Sequence, residues 1–265
     1  MTFKGLKSRF VLLISVLLVI SIGTGIGVVD SASDLLWTVV GNQLEKAELL
    51  IKNGANVNEK GEFGFSPLHI AAMFGYKEMT LMLMDKGADV NDARSYQKRT
   101  PLHWASACAR SEIVEMLINR GAKVNVVDLR HYTMLHLIAS GPGLMYDAFS
   151  IIYVPIPEGK PFPFLEAVHD KLLGEKASDK FYANFYENYA STIGLLLSKG
   201  IDINAKGDTG VTPLHLASFE WEERIVRLFI KKGADINVKD ERGDTPLHYM
   251  LGSRSGAFAE KKKNT

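Results

Sequence analysis

The sequence predicts an all-α solenoid, a row of helix-turn-helix pairs joined by hairpin fingers, and three observations carry that prediction. The first is the tetrad Thr-Pro-Leu-His at 100–103, 212–215 and 245–248, with near copies Ser-Pro-Leu-His at 66–69 and Thr-Met-Leu-His at 133–136. Their starts are 34, 33, 79 and 33 residues apart, so one interval holds a repeat plus 46 inserted residues. A fixed period of this length marks a solenoid. The second is a parallel series, "GANVN" (54–58), "GADVN" (87–91), "GAKVN" (121–125), "GIDIN" (200–204) and "GADIN" (233–237), each beginning 12 or 13 residues before the next tetrad. The third is composition: 265 residues with 46% apolar content can bury a continuous core, here a one-dimensional one.

At the N-terminus, Lys4, Lys7 and Arg9 precede "FVLLISVLLVISIGTGIGVV" (10–29), twenty residues without a charge. That length spans a bilayer. It also suits a secretory signal peptide, with small residues in "SAS" (31–33) ahead of a cut before Asp34. Residues 1–33 are therefore read as a signal peptide or an N-terminal membrane anchor. Either reading places the repeats outside the cytoplasm, because positive charge stays inside. The expected location is periplasmic, secreted or lumenal after cleavage, with a single-pass anchored form as the alternative.

Six repeats follow over 34–260, near 34–53, 54–86, 87–120, 121–199, 200–232 and 233–260, and 261–265 form a basic tail. The first, "SDLLWTVVGNQLEKAELLIKNGANVN", has no tetrad, as expected of a terminal repeat with a solvated outer face. In the others, Thr or Ser caps a helix and Pro at the first helical position loses a donor that would go unpaired anyway. Leu then starts the buried face. Gly after a run such as "EIVEMLINR" (112–120) supplies the positive φ that ends the second helix. Turn residues such as "VKDERGD" (238–244) lead into the next tetrad.

The insertion, about 144–189, enters the fourth repeat between its two helices. "FLEAVHDKLL" (164–173) carries apolar residues at helical spacing. Phe181, Phe185 and Tyr189 continue an apolar stripe without a breaker into Ile193, Leu196 and Leu197. The second helix of this repeat is therefore expected to extend backward by about three turns. Such stripes are usually core.

The pattern as a whole resembles the ankyrin repeat, a hairpin followed by two antiparallel helices, and "DERGDTPLH" (240–248) is its closest approach to the family pattern. The resemblance implies a non-catalytic protein-interaction scaffold that binds through hairpin tips and the exposed side of the first helices. Carried over position by position, it assigns partner-binding roles to Phe63, Phe65, Met73, Phe74, Tyr96, Arg99, Leu129, Arg130, Tyr132, Phe219 and Trp221. Trp104 and Trp37 are read as core. Expected alternatives are a membrane-tethered module and an accessory or inhibitor protein of an extracytoplasmic enzyme.

Chemistry finds little support in the sequence. Five of seven histidines lie in the tetrads, about 10 Å apart if helix pairs stack at usual distances, too far to share a zinc ion. Each imidazole is expected to bond to cap and hairpin groups. Glu166, His169 and Asp170 read as a charged helix face. The single cysteine, Cys108, excludes an intramolecular disulfide. With 31 basic and 30 acidic residues there is no electrostatic case for nucleic acid. No catalytic residue, metal or cofactor is expected. The expected partner is a protein, with membrane association through 10–29, and the chain is expected to be a monomer.

Overall fold

Each tetrad opens a helix in the computed structural model, which describes residues 31–61, 64–140, 179–220 and 223–259. In chain order the helices are α1 (Ser31–Val40), α2 (Leu44–Lys52), α3 (Pro67–Phe74), α4 (Lys77–Asp85), α5 (Pro101–Ala107), α6 (Ser111–Asn119), α7 (Met134–Ala139), α8 (Asp179–Ser198), α9 (Pro213–Glu220), α10 (Glu223–Lys231) and α11 (Pro246–Ala259). No described residue is in a strand, so the fingers are built from turns.

The helices form two layers. Successive first helices adjoin one another from α1 through α3, α5, α7 and α9 to α11, and second helices run alongside from α2 through α4, α6 and α8 to α10. The leucine of each interior tetrad explains the close approach. Leu68, Leu102, Leu135 and Leu214 are fully or almost fully buried between neighbouring first helices. Each contributes about 1.5–3 kcal/mol of burial. Ala72, Ser106, Ala139 and Ser218, one turn later, are equally covered and small enough to let the backbones meet. Trp104 is buried in the same layer, and Trp37 is half-buried.

The caps use the histidine as well as the hydroxyl. Ser66 and Thr100 are extended, with φ of −92° and −81°, and each shares a reciprocal capping box with the histidine three residues on. The five glycines that end the second helices, Gly54, Gly87, Gly121, Gly200 and Gly233, all have φ between 86° and 101°. Only glycine enters that region without strain.

In the fourth repeat α8 is 20 residues long, against nine for α4, α6 and α10, and it begins well inside the insertion. Its extra turns are tied to the repeat before: Tyr189 is fully buried and its hydroxyl donates to the Ala107 carbonyl at 2.7 Å. Ser111 Oγ also bonds Asn188 Oδ1 at 3.2 Å. The helix expected over 164–173 and the cluster Glu166, His169 and Asp170 lie outside the described residues, as do 1–30 and 260–265. Among the described residues no helix is long and apolar enough to cross a membrane.

Candidate partner-binding surface

The fingers are shaped by their own side chains. The Asp128 carboxylate accepts from the N–H groups of Arg130 and Tyr132 at 2.8 and 3.0 Å, and Asp240 does the same for Arg242 and Asp244 at 2.9 Å each. Burial would raise the Asp240 pKa, but these N–H donors, the Tyr249 hydroxyl and Arg242 together hold it below the usual value. Neighbouring fingers are also tied edge to edge. Leu129 N–H donates to Gln97 O at 2.9 Å, Asp208 N–H to Arg130 O at 2.8 Å, and Glu241 N–H to Thr209 O at 2.9 Å. The row of fingertips is thus a preformed surface.

Below the fingertips runs a ladder of histidines. In each, Nδ1 accepts from the backbone N–H of the cap at 3.1–3.2 Å and lies 2.7–3.0 Å from the cap hydroxyl. The opposite nitrogen, Nε2, reaches the next repeat: Arg99 O for His69, Val211 O for His136 and Asp244 O for His215, each at 3.0 Å. A carbonyl accepts only, so Nε2 carries the proton. At His103 the carbonyls of Tyr132 and Val126 face the ring, yet none completes a bond to Nε2. Burial holds the pKa of His69 down to about 3, and those of His103 and His136 to about 4. These are neutral structural imidazoles. No group of three or more metal-binding side chains occurs among the described residues. Burial pushes the Cys108 thiol up to about 11, away from reactivity.

Several residues carried over from the resemblance lie in the core. Phe65 is only 3% exposed. Its ring packs edge-on to His69 at 6.0 Å and against Trp104 at 5.2 Å. Arg99 is buried too: its Nε donates to Asp128 at 3.0 Å and its guanidinium lies 5.3 Å over the Trp104 ring. Both precede a tetrad directly, and that position points between repeats rather than into the groove. Val211 obeys the same rule and is buried. Tyr132 is intermediate, its ring parallel to His136 at 4.8 Å. Met73 and Phe74 are likewise covered, Phe74 stacked on Tyr76 at 5.4 Å. They sit in the last turn of α3, where the second-helix layer closes over it.

The surface that remains is narrower. Leu129 is 54% exposed, and Arg130 beside it is exposed. Phe219 is exposed at the end of α9. Phe63, Trp221 and the side chain of Tyr96 lie outside the described residues. The sequence reading missed Val127, Lys98 and His131, all exposed on the same fingers. His131 Nδ1 and Asp208 Oδ1 meet at 2.6 Å across two fingertips. The signal for Lys98 was the extra residue in its finger, where Gln97 and Lys98 both take positive φ, 61° and 56°.

The finger and the two antiparallel helices recur along the stack, and the Nε2 of His69, His136 and His215 each reaches a carbonyl of the next repeat. Comparison with known families agrees, since the ankyrin-repeat family model matches residues 35–128 and 181–258, well over half of the chain. The chain belongs to the ankyrin-repeat family. Among curated relatives, protein phosphatase 1 regulatory subunit 27 of Homo sapiens is 41% identical over 51 residues, 19% of this chain and 33% of that protein. A palmitoyltransferase of Lachancea kluyveri is 37% identical over 71 residues, 26% of this chain and 10% of that one. An ankyrin repeat protein of fowlpox virus is 40% identical over 48 residues, 18% of this chain and 26% of that protein. The chain thus spans a third or less of these relatives. What is shared is the repeat, a fold that serves as a protein-interaction scaffold.

Proposed function

We propose that this ankyrin-repeat protein is a non-catalytic scaffold that binds a protein partner on its row of fingertips, centred on the finger of the fourth repeat. The observation that carries the reading is Leu129 and Val127, apolar and exposed, beside the cationic Arg130 on a finger whose backbone Asp128 has already fixed. Apolar anchors flanked by arginine on a preorganised surface are what hot spots are made of. A photo-crosslinking residue at Leu129 in the full chain, expressed in its native compartment, should capture one partner. Leu129→Ala and Arg130→Ala should each weaken that partner's binding by about 5- to 30-fold without moving the melting temperature. Glu115→Ala, exposed on α6, is the control. Unchanged affinity in both finger variants would overturn the site.

The scaffold works outside the cytoplasm in this proposal. The charge-free stretch 10–29 behind three basic residues supports it. A cut before Asp34 would fall inside α1, which begins at Ser31, and would keep the fully buried Leu35 in the mature chain. N-terminal sequencing should find a mature chain starting near Asp34. An intact chain recovered soluble from the cytoplasm would overturn export.

A further inference from the structure

Charge is spread unevenly along the row of fingers. In repeats two to four the acids of the fingers are mostly turned inward. Glu59 is buried and accepts from Leu36 N–H at 3.2 Å, and Asp92 and Asp128 are buried as well. Asp89 is exposed, its carboxylate held by Asn91 N–H at 2.9 Å, and Glu62 lies outside the described residues. The cations point the other way. Lys98 and Arg130 are exposed, and the Arg94 side chain is 61% exposed. Asp128 is already matched by the buried Arg99 at 3.0 Å. Neither Lys98 nor Arg130 has a carboxylate partner among the described residues.

Two cations share one carboxylate where the fingers of repeats two and three meet. Lys60 and Arg94 both pair with Asp92, whose side chain is fully buried, so one positive charge is left over. Burial, and after it the Arg94 charge, hold the Lys60 pKa down to about 8. A cation disfavoured by a second cation is favoured again by an added anion. These charges are continuous with the exposed Val127 and Leu129. Gly64 lies against the Arg94 carbonyl, where a Cβ would come within 1.9 Å, and Leu129 N–H donates to Gln97 O at 2.9 Å. Farther along the row the sign changes, with Asp208 and Glu241 exposed on the next two fingers.

We propose that the partner seats an acidic, extended polypeptide segment across the fingers of repeats two to four, its carboxylates on Arg94, Lys98 and Arg130 and an apolar side chain against Val127 and Leu129. This rests on the fingertip site proposed above and names the chemistry of what occupies it. Neighbouring fingers stand about 10 Å apart, which is about three residues of extended chain. Carboxylates recurring every third residue therefore meet successive fingers. Length decides between anions. A flat anionic membrane or a long nucleic acid would also meet Asp208 and Glu241, which repel it, whereas a short segment stops before them. Phosphates would gain nothing from Val127 and Leu129.

The probe is a fluorescein-labelled peptide, Glu-Glu-Leu-Glu-Glu-Leu-Glu-Glu, titrated by anisotropy with the full chain in mild detergent at low salt. It should bind, and the version with Gln for every Glu should bind at least about tenfold more weakly. Lys98→Glu and Arg130→Glu should each weaken the acidic peptide by about tenfold, by placing like charges face to face. Both side chains are exposed, so the melting temperatures should match wild type. Lys231→Glu, exposed on α10, makes the same change in total charge and should alter binding by less than about twofold. No binding of the acidic peptide, or equal losses from Lys98→Glu and Lys231→Glu, would overturn the proposal. Tighter binding to phosphatidylserine vesicles or to an oligothymidylate would overturn the choice of a polypeptide. Equal binding of the two peptides, each weakened by Leu129→Ala, would remove the acidic partner and leave the fingertip site standing. The fingertip site itself falls if the partner captured at Leu129 ignores both Leu129→Ala and Arg130→Ala.

Discussion

At the scale of single residues the tetrad histidines set a pH dependence whose sign follows from burial. His69, His103 and His136 are neutral in the fold, with pKa values near 3, 4 and 4, and His215 is also lowered. In the unfolded chain each titrates near 6.5. The unfolded state therefore binds more protons below about pH 6.5, and stability present above that value is lost as pH falls toward 4. Between pH 7.5 and 5.5 His69, His103 and His136 each remove about 1 kcal/mol. Thermal melts at the two pH values should show a clear loss, and His136→Gln should reduce it by one histidine's share. A pH-independent melt would mean that the rings titrate in the fold as they do in the unfolded chain. Glycine gives a second residue-scale prediction. A Cβ on Gly64, at φ +75°, would lie 1.9 Å from the Arg94 carbonyl oxygen, so Gly64→Ala should cost well over 1 kcal/mol in urea unfolding. The tetrads declared the histidine chemistry in sequence because type and spacing alone specify a cap. The ladder to the next repeat was not legible, because its acceptors are backbone carbonyls of any residue type: Arg99, Val211 and Asp244 share nothing but position.

Helices were more legible than surfaces. Breaker-free periodicity from Phe181 to Leu197 predicted a long second helix, and α8 runs over Asp179–Ser198. Its aromatic stripe gave no direction, and only the structure shows Tyr189 turned inward onto the end of α5. Tyr189→Phe keeps the packing and removes the hydroxyl, leaving the buried Ala107 carbonyl short of a donor, which should cost about 1–2 kcal/mol in the urea midpoint. The site was half-legible for a similar reason. Whether Phe65 and Arg99 face the groove or the neighbouring repeat depends on the direction of one residue just before a helix, and composition favours either. Met134 shows two effects in competition. It occupies the first position of α7, where the other tetrads have proline, and Thr133 before it is extended at φ −81°, ψ 171°, so the backbone would accept Met134→Pro. Proline's unfolded-state advantage is about 0.4–1 kcal/mol. The Met134 side chain is fully buried, however, and truncating such a residue costs about 2–5 kcal/mol. Burial wins, and the variant should melt lower than wild type, whereas an equal or higher melt would mean the site collapses around the smaller ring.

Over the whole molecule the stack is one-dimensional, so a residue's worth depends on whether a repeat lies on each side of it. Leu102 and Leu247 test this directly. Both are the third residue of a Thr-Pro-Leu-His tetrad, with the same local helix and cap. Leu102 has α3 on one side and α7 on the other and is fully buried, while Leu247 has α9 on one side and is 61% exposed. Leu102→Ala removes buried methyl groups and leaves a cavity between packed helices, a loss of about 2–5 kcal/mol. Leu247→Ala removes the same atoms from water, and it should stay within about 0.5 kcal/mol of wild type. The difference comes from position along the stack and from nothing in the local sequence. Urea midpoints of wild type and Leu247→Ala should therefore nearly coincide, while that of Leu102→Ala falls clearly below both. A Leu247→Ala cost matching that of Leu102→Ala would mean that α11 is covered on both sides, as an interior helix of the stack is.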